Sequence, residues 1–385
     1  MEKKIIKIWR KLERHGRNIR SLPSNVSRIL KELREISANL KEIQSACEYL
    51  ISRSPIDLRL ELISGTLDNL KSRAFLVEKQ QVELLRQQIE LREAVRSLQI
   101  LFDGHAKSAP GRGNVLLSDE RLLTRISLPG HFPNGDPILF VNAYDKLIVP
   151  KLAMNGYYEL ESSYFVARNV KANDHVVDVG ANFGYYTVLM GSLVGWKGKV
   201  VAFEPEPRMA RLLRENALIN WIDPCVQIIQ AACAENAGGI ELYTSQARAA
   251  NTGTKIPTIG EGFGEDFEFR PFHARSVLID DALQFLEGRV DFMKMDVEGF
   301  EVSALRGARK TIAENPNIKI MMEWSPGQLQ ANGFELPAVA RELMEFGLSC
   351  YTLHAGGRPG DVAPMDFRSL PEAGYQNIVL MRSPG

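Results

Sequence analysis

From residue 170 onward the chain alternates short apolar runs with amphipathic ones, and no other feature restricts its fold as strongly. The apolar runs are HVVDVG, KVVAFE, VQIIQA, VDFMKMD and IKIMMEW. Helical patterns begin at Tyr185, run from Pro207 to Asn220 and from Phe300 to Ala313, and recur near 336–346. Strands apolar on both faces, joined by amphipathic crossovers, predict an α/β fold with a mostly parallel sheet covered on both sides. LSCYTL and YQNIVLM are expected to add an antiparallel edge.

Ligands of open α/β sheets bind beyond the carboxyl ends of the strands. The first strand runs into VVDVGANFGYYT, where Asp178, Gly180 and Gly184 are spaced D-x-G-x-x-x-G. A dinucleotide fingerprint needs a glycine at 182 to admit a pyrophosphate, and Asn182 stands there, which disfavours a nicotinamide oxidoreductase. The spacing suits a cofactor without a pyrophosphate. Asp178 is a candidate anchor for an ammonium, and Glu204, at the end of the second strand, for the two hydroxyls of a ribose. S-adenosylmethionine combines those groups with a sulfonium. Phe183, Tyr185 and Tyr186 either offer aromatic faces to that ligand or enter the core. Ala231 and Ala232 either line the adenine or permit packing.

The third strand-to-helix junction, DFMKMDVEGFEVSALRGA, clusters Lys294, Asp296, Glu298 and Glu301. With this stretch the sequence resembles the FkbM family of S-adenosylmethionine-dependent methyltransferases over roughly residues 155–382. GYYELESS, VVDVGANFGYYTVL with VVAFEPEP, IMMEWSP and the ending YQNIVLMRS complete the resemblance. It implies a class I methyltransferase, Rossmann-like fold and O-methylation, commonly of sugar or polyketide hydroxyls. It assigns Asp178, Gly180, Asn182 and Gly184 to the cofactor turn and Glu204 to the ribose. It also makes Glu159 either a neighbour of the cofactor or a carboxylate at a helix start.

Methyl transfer to an alcohol needs a base within reach of the hydroxyl, or a metal that acidifies it. Asp296 and Glu323 end adjacent strands, so Asp296 is the first candidate for base or metal ligand and Glu323 the second. Glu298 is placed at the helix first turn or beside them, and Lys294, on the same strand face as Asp296, either orients it or forms a structural ion pair. Such oxygen ligands suit Mg2+ rather than zinc. Residues 244–273 show little periodicity and read as a loop over the pocket, with Asn251 a candidate substrate contact. His354 is a second one.

The resemblance does not cover residues 1–114; the chain reads as a basic amphipathic helix (1–20), a coiled coil (21–105) and a linker (106–115), then a β-rich lead-in (116–170) before the methyltransferase domain (171–385). The first twenty residues carry eight Lys or Arg against Glu2 and Glu13, a net of +6 in a chain of zero net charge. With Ile5, Ile8, Trp9 and Leu12 at helical spacing, this segment is either an anchor for an anionic membrane surface or a charged leader to the coil. Val26, Ile29, Leu33, Ile36, Leu40, Ile43, Cys47 and Leu50 alternate three and four apart, and a second seam runs from Ile63 to Phe102. Residues 26–102 therefore form a hairpin, an oligomer or a partner-binding coil.

The balance of 47 Lys plus Arg with 47 Asp plus Glu argues against a nucleic-acid coat. No apolar run reaches the ~18 residues of a spanning helix, and the four cysteines show no metal or disulfide spacing. A cytoplasmic location is expected, with the inner membrane face within reach of the basic helix. The function expected is O-methylation of a saccharide or glycolipid-linked glycan. The alternative is a coiled-coil assembly protein carrying an idle methyltransferase-like domain.

Overall fold

The computed structural model describes residues 114–118, 120–128, 130–132, 135–146, 148–245, 248–253, 269–353 and 357–382. The basic helix, the coiled coil and nearly all of the linker lie outside these residues, as does His354, and the side chain of Asn251 is not described.

A three-stranded antiparallel sheet comes first, from β1 (Val115–Ser118), β2 (Arg121–Arg125) and β3 (Ile138–Asn142). Two helices follow, α1 (Ile148–Asn155) and α2 (Leu160–Asn169). Within the lead-in expected to be β-rich, Ile148, Val149 and Pro150 open α1 instead. Asp145 Oδ1 accepts the N–H groups of Ile148 (2.7 Å) and Val149 (3.3 Å), and Pro150 falls in the first turn, where no N–H is needed.

The central sheet has eight strands. In spatial order they are β6 (Val226–Ile229), β5 (Lys199–Phe203), β4 (His175–Val179), β11 (Phe292–Met295), β12 (Lys319–Trp324), β15 (Gln376–Met381), β13 (Ser349–Leu353) and β14 (Val362–Met365). The five predicted apolar strands are the parallel set β4, β5, β6, β11 and β12. β15 runs antiparallel between β12 and β13, so the YQNIVLM segment is an interior strand rather than an edge. Period-two alternation divides the apolar side chains between two cores. Val177, Val179, Met293, Met295 and Met322 face one layer, and Val176, Phe292 and Met321 the other.

Helix α3 (Tyr185–Val194) follows β4, and α4 (Pro207–Ile219) follows β5. Pro207 opens α4, and the Glu206 side chain caps it by accepting the Met209 N–H at 2.7 Å. The single helix expected over 300–313 is two six-residue pieces, α5 (Glu301–Arg306) and α6 (Arg309–Glu314). At the break a Cβ on Gly307 would meet the Ala234 carbonyl oxygen at 2.3 Å. Asp280 then accepts the N–H groups of Lys310 and Thr311, so α6 is capped by a distant residue. Helices α7 (Pro326–Ala331) and α8 (Leu336–Glu345) lead from β12 to β13.

The reading of 244–273 as a loop is corrected in part. A second sheet of order β7 (Ala232–Cys233), β10 (Phe269–Val277), β8 (Gly238–Ser245), β9 (Arg248–Gly253) takes up its described residues. Exposed and half-buried residues dominate β10, so its strand character is carried by backbone pairing with β8 and leaves little apolar alternation in the sequence.

Candidate active site

The carboxyl ends of β4, β5 and β11 border a pocket whose outer wall includes Ile240 and Leu242 of β8. Gly180, at φ +79°, follows β4. A Cβ there would sit 1.9 Å from the Asp296 carbonyl oxygen, so the two strand ends approach as closely as they do only because residue 180 lacks one. Gly180→Ala is expected to destabilise the protein by about 3 kcal/mol or more, from backbone strain plus the clash. A urea melt checks this, and a loss near zero would contradict it. Gly184 has another task. Its Cβ would strike Leu213 Cδ1 at 2.4 Å, so it lets α3 pack on α4 and does not shape the pocket wall.

Glu204 lies on the pocket wall and is only 4% exposed. Its Oε2 accepts the Asn182 N–H at 2.7 Å and its Oε1 the Glu206 N–H at 2.8 Å, leaving each oxygen a further lone pair. Burial pushes its carboxyl up to about 8, against the pull of those two N–H groups. Ala231 and Ala232 keep the next stretch of wall shallow, and Phe300 adds an apolar surface. None of the described lining residues is basic, so the pocket offers no cation to a phosphate. These features fit a ribose and a flat base without phosphate. They place Gly180, Asn182, Glu204 and Ala232 at one cavity, with Asp296 and Glu298 at its far side.

Phe183, Tyr185 and Asp178, like Gly184 and Glu159, are not among the residues that line this pocket. Phe183 and Tyr185, each 4% exposed, belong to the core on the α3 side of the sheet. Tyr185 Oη is engaged by Ser163 Oγ at 2.8 Å and by the Tyr158 N–H at 3.1 Å. A helix start cannot turn consecutive aromatics to one side, and here the core takes them. Asp178 is fully buried beneath the turn. Its Oδ2 accepts the Thr187 hydroxyl at 2.6 Å and its Oδ1 has no partner, so it does not face the pocket.

Beside the pocket is a dense acidic cluster with one buried lysine. Lys294 Nζ donates to Asp296 Oδ2 at 2.8 Å and lies 4.8 Å from the Tyr186 ring centroid. Burial alone pulls its ammonium down, and Asp296, Asp178 and Glu159 reverse that, holding it well above its usual value. Tyr186 Oη donates to Glu159 Oε2 at 2.8 Å, so Glu159 joins this network instead of capping α2, although it occupies the helix start. Burial, then the Asp296 charge, raises its carboxyl. Glu323, next to last in β12, accepts the Tyr375 hydroxyl at 2.6 Å. Burial first, then Asp296, Glu298 and Glu301, push it well above the carboxylate range.

Glu298 sits at φ +56° with its side chain bonded by Gln328 Nε2, so it is held at the loop rather than within the helix first turn. Residues 159, 182 and 298 are non-glycine positions in the left-handed region, and all three border this rim. Sequence reasoning assigned no role to Glu301, Tyr158 or Tyr375. Glu301 was visible as the last acid of D-V-E-G-F-E, but nothing in that string says it turns back to accept the N–H groups of Val297 and Gly299.

The strand order, with β15 antiparallel between β12 and β13, is that of a class I, S-adenosylmethionine-dependent methyltransferase, and a pocket without basic lining residues opens at the carboxyl ends of β4 and β5. Residues 178–350 match the methyltransferase FkbM domain. It is similar to methyltransferase sdnD of Sordaria araneosa, at 24% identity over 184 residues, covering 42% of this chain and 71% of that one. Among solved structures it is similar to an S-adenosylmethionine-dependent O-methyltransferase of Thermotoga maritima (16% identity, TM-score 0.31, 60% of this chain and 67% of that one). It is also similar to Aeropyrum pernix fibrillarin with bound S-adenosylmethionine (16% identity, TM-score 0.32, 68% and 89%). Among the described residues no helix is long and apolar enough to cross a membrane.

Proposed function

We propose that the chain transfers a methyl group to a hydroxyl of a saccharide, free or carried on a glycolipid. The observation that supports this most is the state of Asp296. One of its oxygens is held by Lys294 while its side chain keeps 25% exposure at the pocket wall. S-adenosylmethionine supplies an electrophilic methyl on a sulfonium. In our reading Glu204 and the Asn182 turn hold its ribose, and Ala231 and Ala232 flank its base. As the acceptor oxygen forms its bond to carbon and the carbon–sulfur bond breaks, the hydroxyl proton passes to the free Asp296 oxygen. Lys294 keeps that carboxylate oriented until it does.

The rim favours a neutral acceptor. Asp296, Glu298, Glu301, Glu323 and Glu159 border this rim, and its lysine is already committed to Asp296, so no free cation attracts a phosphorylated or acidic substrate. Tyr375, 63% exposed and tethered through its hydroxyl to Glu323, presents a ring at the same rim, a surface suited to the C–H face of a sugar. Residues 1–20 and 26–102, as membrane and partner contacts, would bring such a domain to lipid-linked glycans.

The test incubates the protein with labelled S-adenosylmethionine and a panel of neutral, uronic and phosphorylated glycans, read by mass spectrometry. A gain of one methyl, confined to neutral sugars, is expected. Label appearing only on amines or on acidic acceptors would overturn the reading.

A further inference from the structure

Three of the rim carboxylates share an arrangement that a proton acceptor alone does not require. One oxygen from each of Asp296, Glu301 and Glu323 lies within 4.8 Å of the other two. In each residue one oxygen is committed to a protein donor. Asp296 Oδ2 takes Lys294 Nζ at 2.8 Å, Glu301 Oε1 takes the N–H groups of Val297 (2.9 Å) and Gly299 (3.2 Å), and Glu323 Oε1 takes the Tyr375 hydroxyl at 2.6 Å. The remaining oxygens, Glu301 Oε2 and Glu323 Oε2, are buried with no hydrogen-bond partner. Glu301 is 0% and Glu323 6% exposed, so bulk water does not reach them.

A buried carboxylate oxygen without a donor is destabilising, and two of them in one cluster call for an explanation. Lys294 does not provide it, because its ammonium is on the committed oxygen of Asp296 and also faces Asp178 and Glu159. Glu298 is spoken for by Gln328 and stands outside the trio. Donors that fix one oxygen of each carboxylate and leave the other open are the arrangement by which outer groups orient the ligands of a metal. An all-oxygen donor set with three carboxylates selects a hard cation over zinc or copper.

We propose that Asp296, Glu301 and Glu323 form a site for one hard divalent cation, of the magnesium, manganese or calcium class, at the acceptor side of the cofactor pocket. The proposal rests on the O-methylation reading only for what the ion is for, which is to acidify the acceptor hydroxyl; with the ion bound, the open Asp296 oxygen is a ligand and no longer the proton acceptor. Whether the ion binds is independent of the reaction, and the test separates the two.

The full-length protein, stripped with EDTA and dialysed, is titrated with Mn2+ alone while free Mn2+ is followed by electron paramagnetic resonance. Saturable binding of one ion per chain is expected, displaced by Mg2+ or Ca2+. Glu301→Gln and Glu323→Gln are each expected to weaken it by roughly tenfold or more. The glutamine at 301 keeps a carbonyl oxygen for the Val297 and Gly299 N–H groups, and a melt in EDTA matching the wild type shows that its fold is intact. Should one variant fail to fold, the other and a rise in the wild-type melting temperature on adding Mn2+ carry the test.

Absence of saturation in the wild type, or unchanged affinity in both variants, overturns the site. Binding of S-adenosylmethionine by the EDTA-stripped chain is measured in parallel. Retained cofactor binding without Mn2+ binding removes the cation and leaves the methyltransferase untouched, whereas Mn2+ binding with no methylated sugar removes the O-methylation reading alone.

Discussion

Asp296→Asn is expected to lower turnover by roughly 10²–10⁴-fold while S-adenosylmethionine still binds. Asparagine fits the same volume and its amide oxygen can still face Lys294 Nζ, now 2.8 Å from Asp296 Oδ2, but it takes no proton from a hydroxyl. The buried ammonium keeps Asp178 and Glu159 as neighbours, so the stability cost is expected to be about 1–3 kcal/mol rather than collapse. Single-turnover kinetics with a saturating glycan, set against calorimetry of cofactor binding, separates the two effects. Turnover within a few-fold of the wild type would mean that another group activates the acceptor. A parallel loss of cofactor affinity would mean that Asp296 acts through the binding pocket.

Glu204→Gln is the second substitution with a large consequence, and it acts on the other substrate. Charge-assisted hydrogen bonds to a carboxylate are worth about 1.5–3 kcal/mol, so above pH 8, where the Glu204 carboxyl is ionised, cofactor affinity should fall by roughly 10- to 100-fold. The wild type carries a pH signature that the variant lacks. Burial holds the Glu204 carboxyl at about 8, above its value in the unfolded chain. The stability linked to this group is therefore complete below the unfolded value, near 4.5, and is lost as pH rises through about 8. Over the same interval the carboxylate becomes ionised and a better acceptor for ribose hydroxyls, so wild-type cofactor affinity should climb between pH 6.5 and 9. Calorimetry across that range checks both lines. A wild-type profile as flat as that of the variant would detach Glu204 from the ribose.

Much of this architecture was legible in the residues because both faces of the parallel strands are buried. HVVDV, KVVAF, FMKM and KIMMEW are apolar enough to be seen without an alignment, and Asp296 and Glu323 could be set side by side from strand order alone. What the residues could not show was direction. Asp178 and Lys294 are registered opposite one another across β4 and β11, which turns Asp178 inward against the ammonium instead of toward the cofactor. Phe183 and Tyr185 go to the core for the same kind of reason, since a helix start distributes its side chains around the axis. Glu301 escaped notice because its role depends on a side chain folding back over its own loop, which no spacing rule encodes. The break between α5 and α6 depends on Asp280, some thirty residues away in the chain, and the strands β8 to β10 on pairing that leaves little apolar signature.

The placing of β15 between β12 and β13 bears on how the molecule assembles in time. Both neighbours precede it in the chain, and its nearest covalent route arrives through the segment after β14. Until it arrives, β12 is an open edge made of Ile320, Met321, Met322 and Trp324, each no more than 1% exposed in the finished protein. Such an edge invites pairing with a second nascent molecule. The slow passage in biogenesis is therefore expected to be the insertion of one late strand into a gap already formed, and expression at low temperature or with a chaperone that shields strand edges should raise the yield of unaggregated protein.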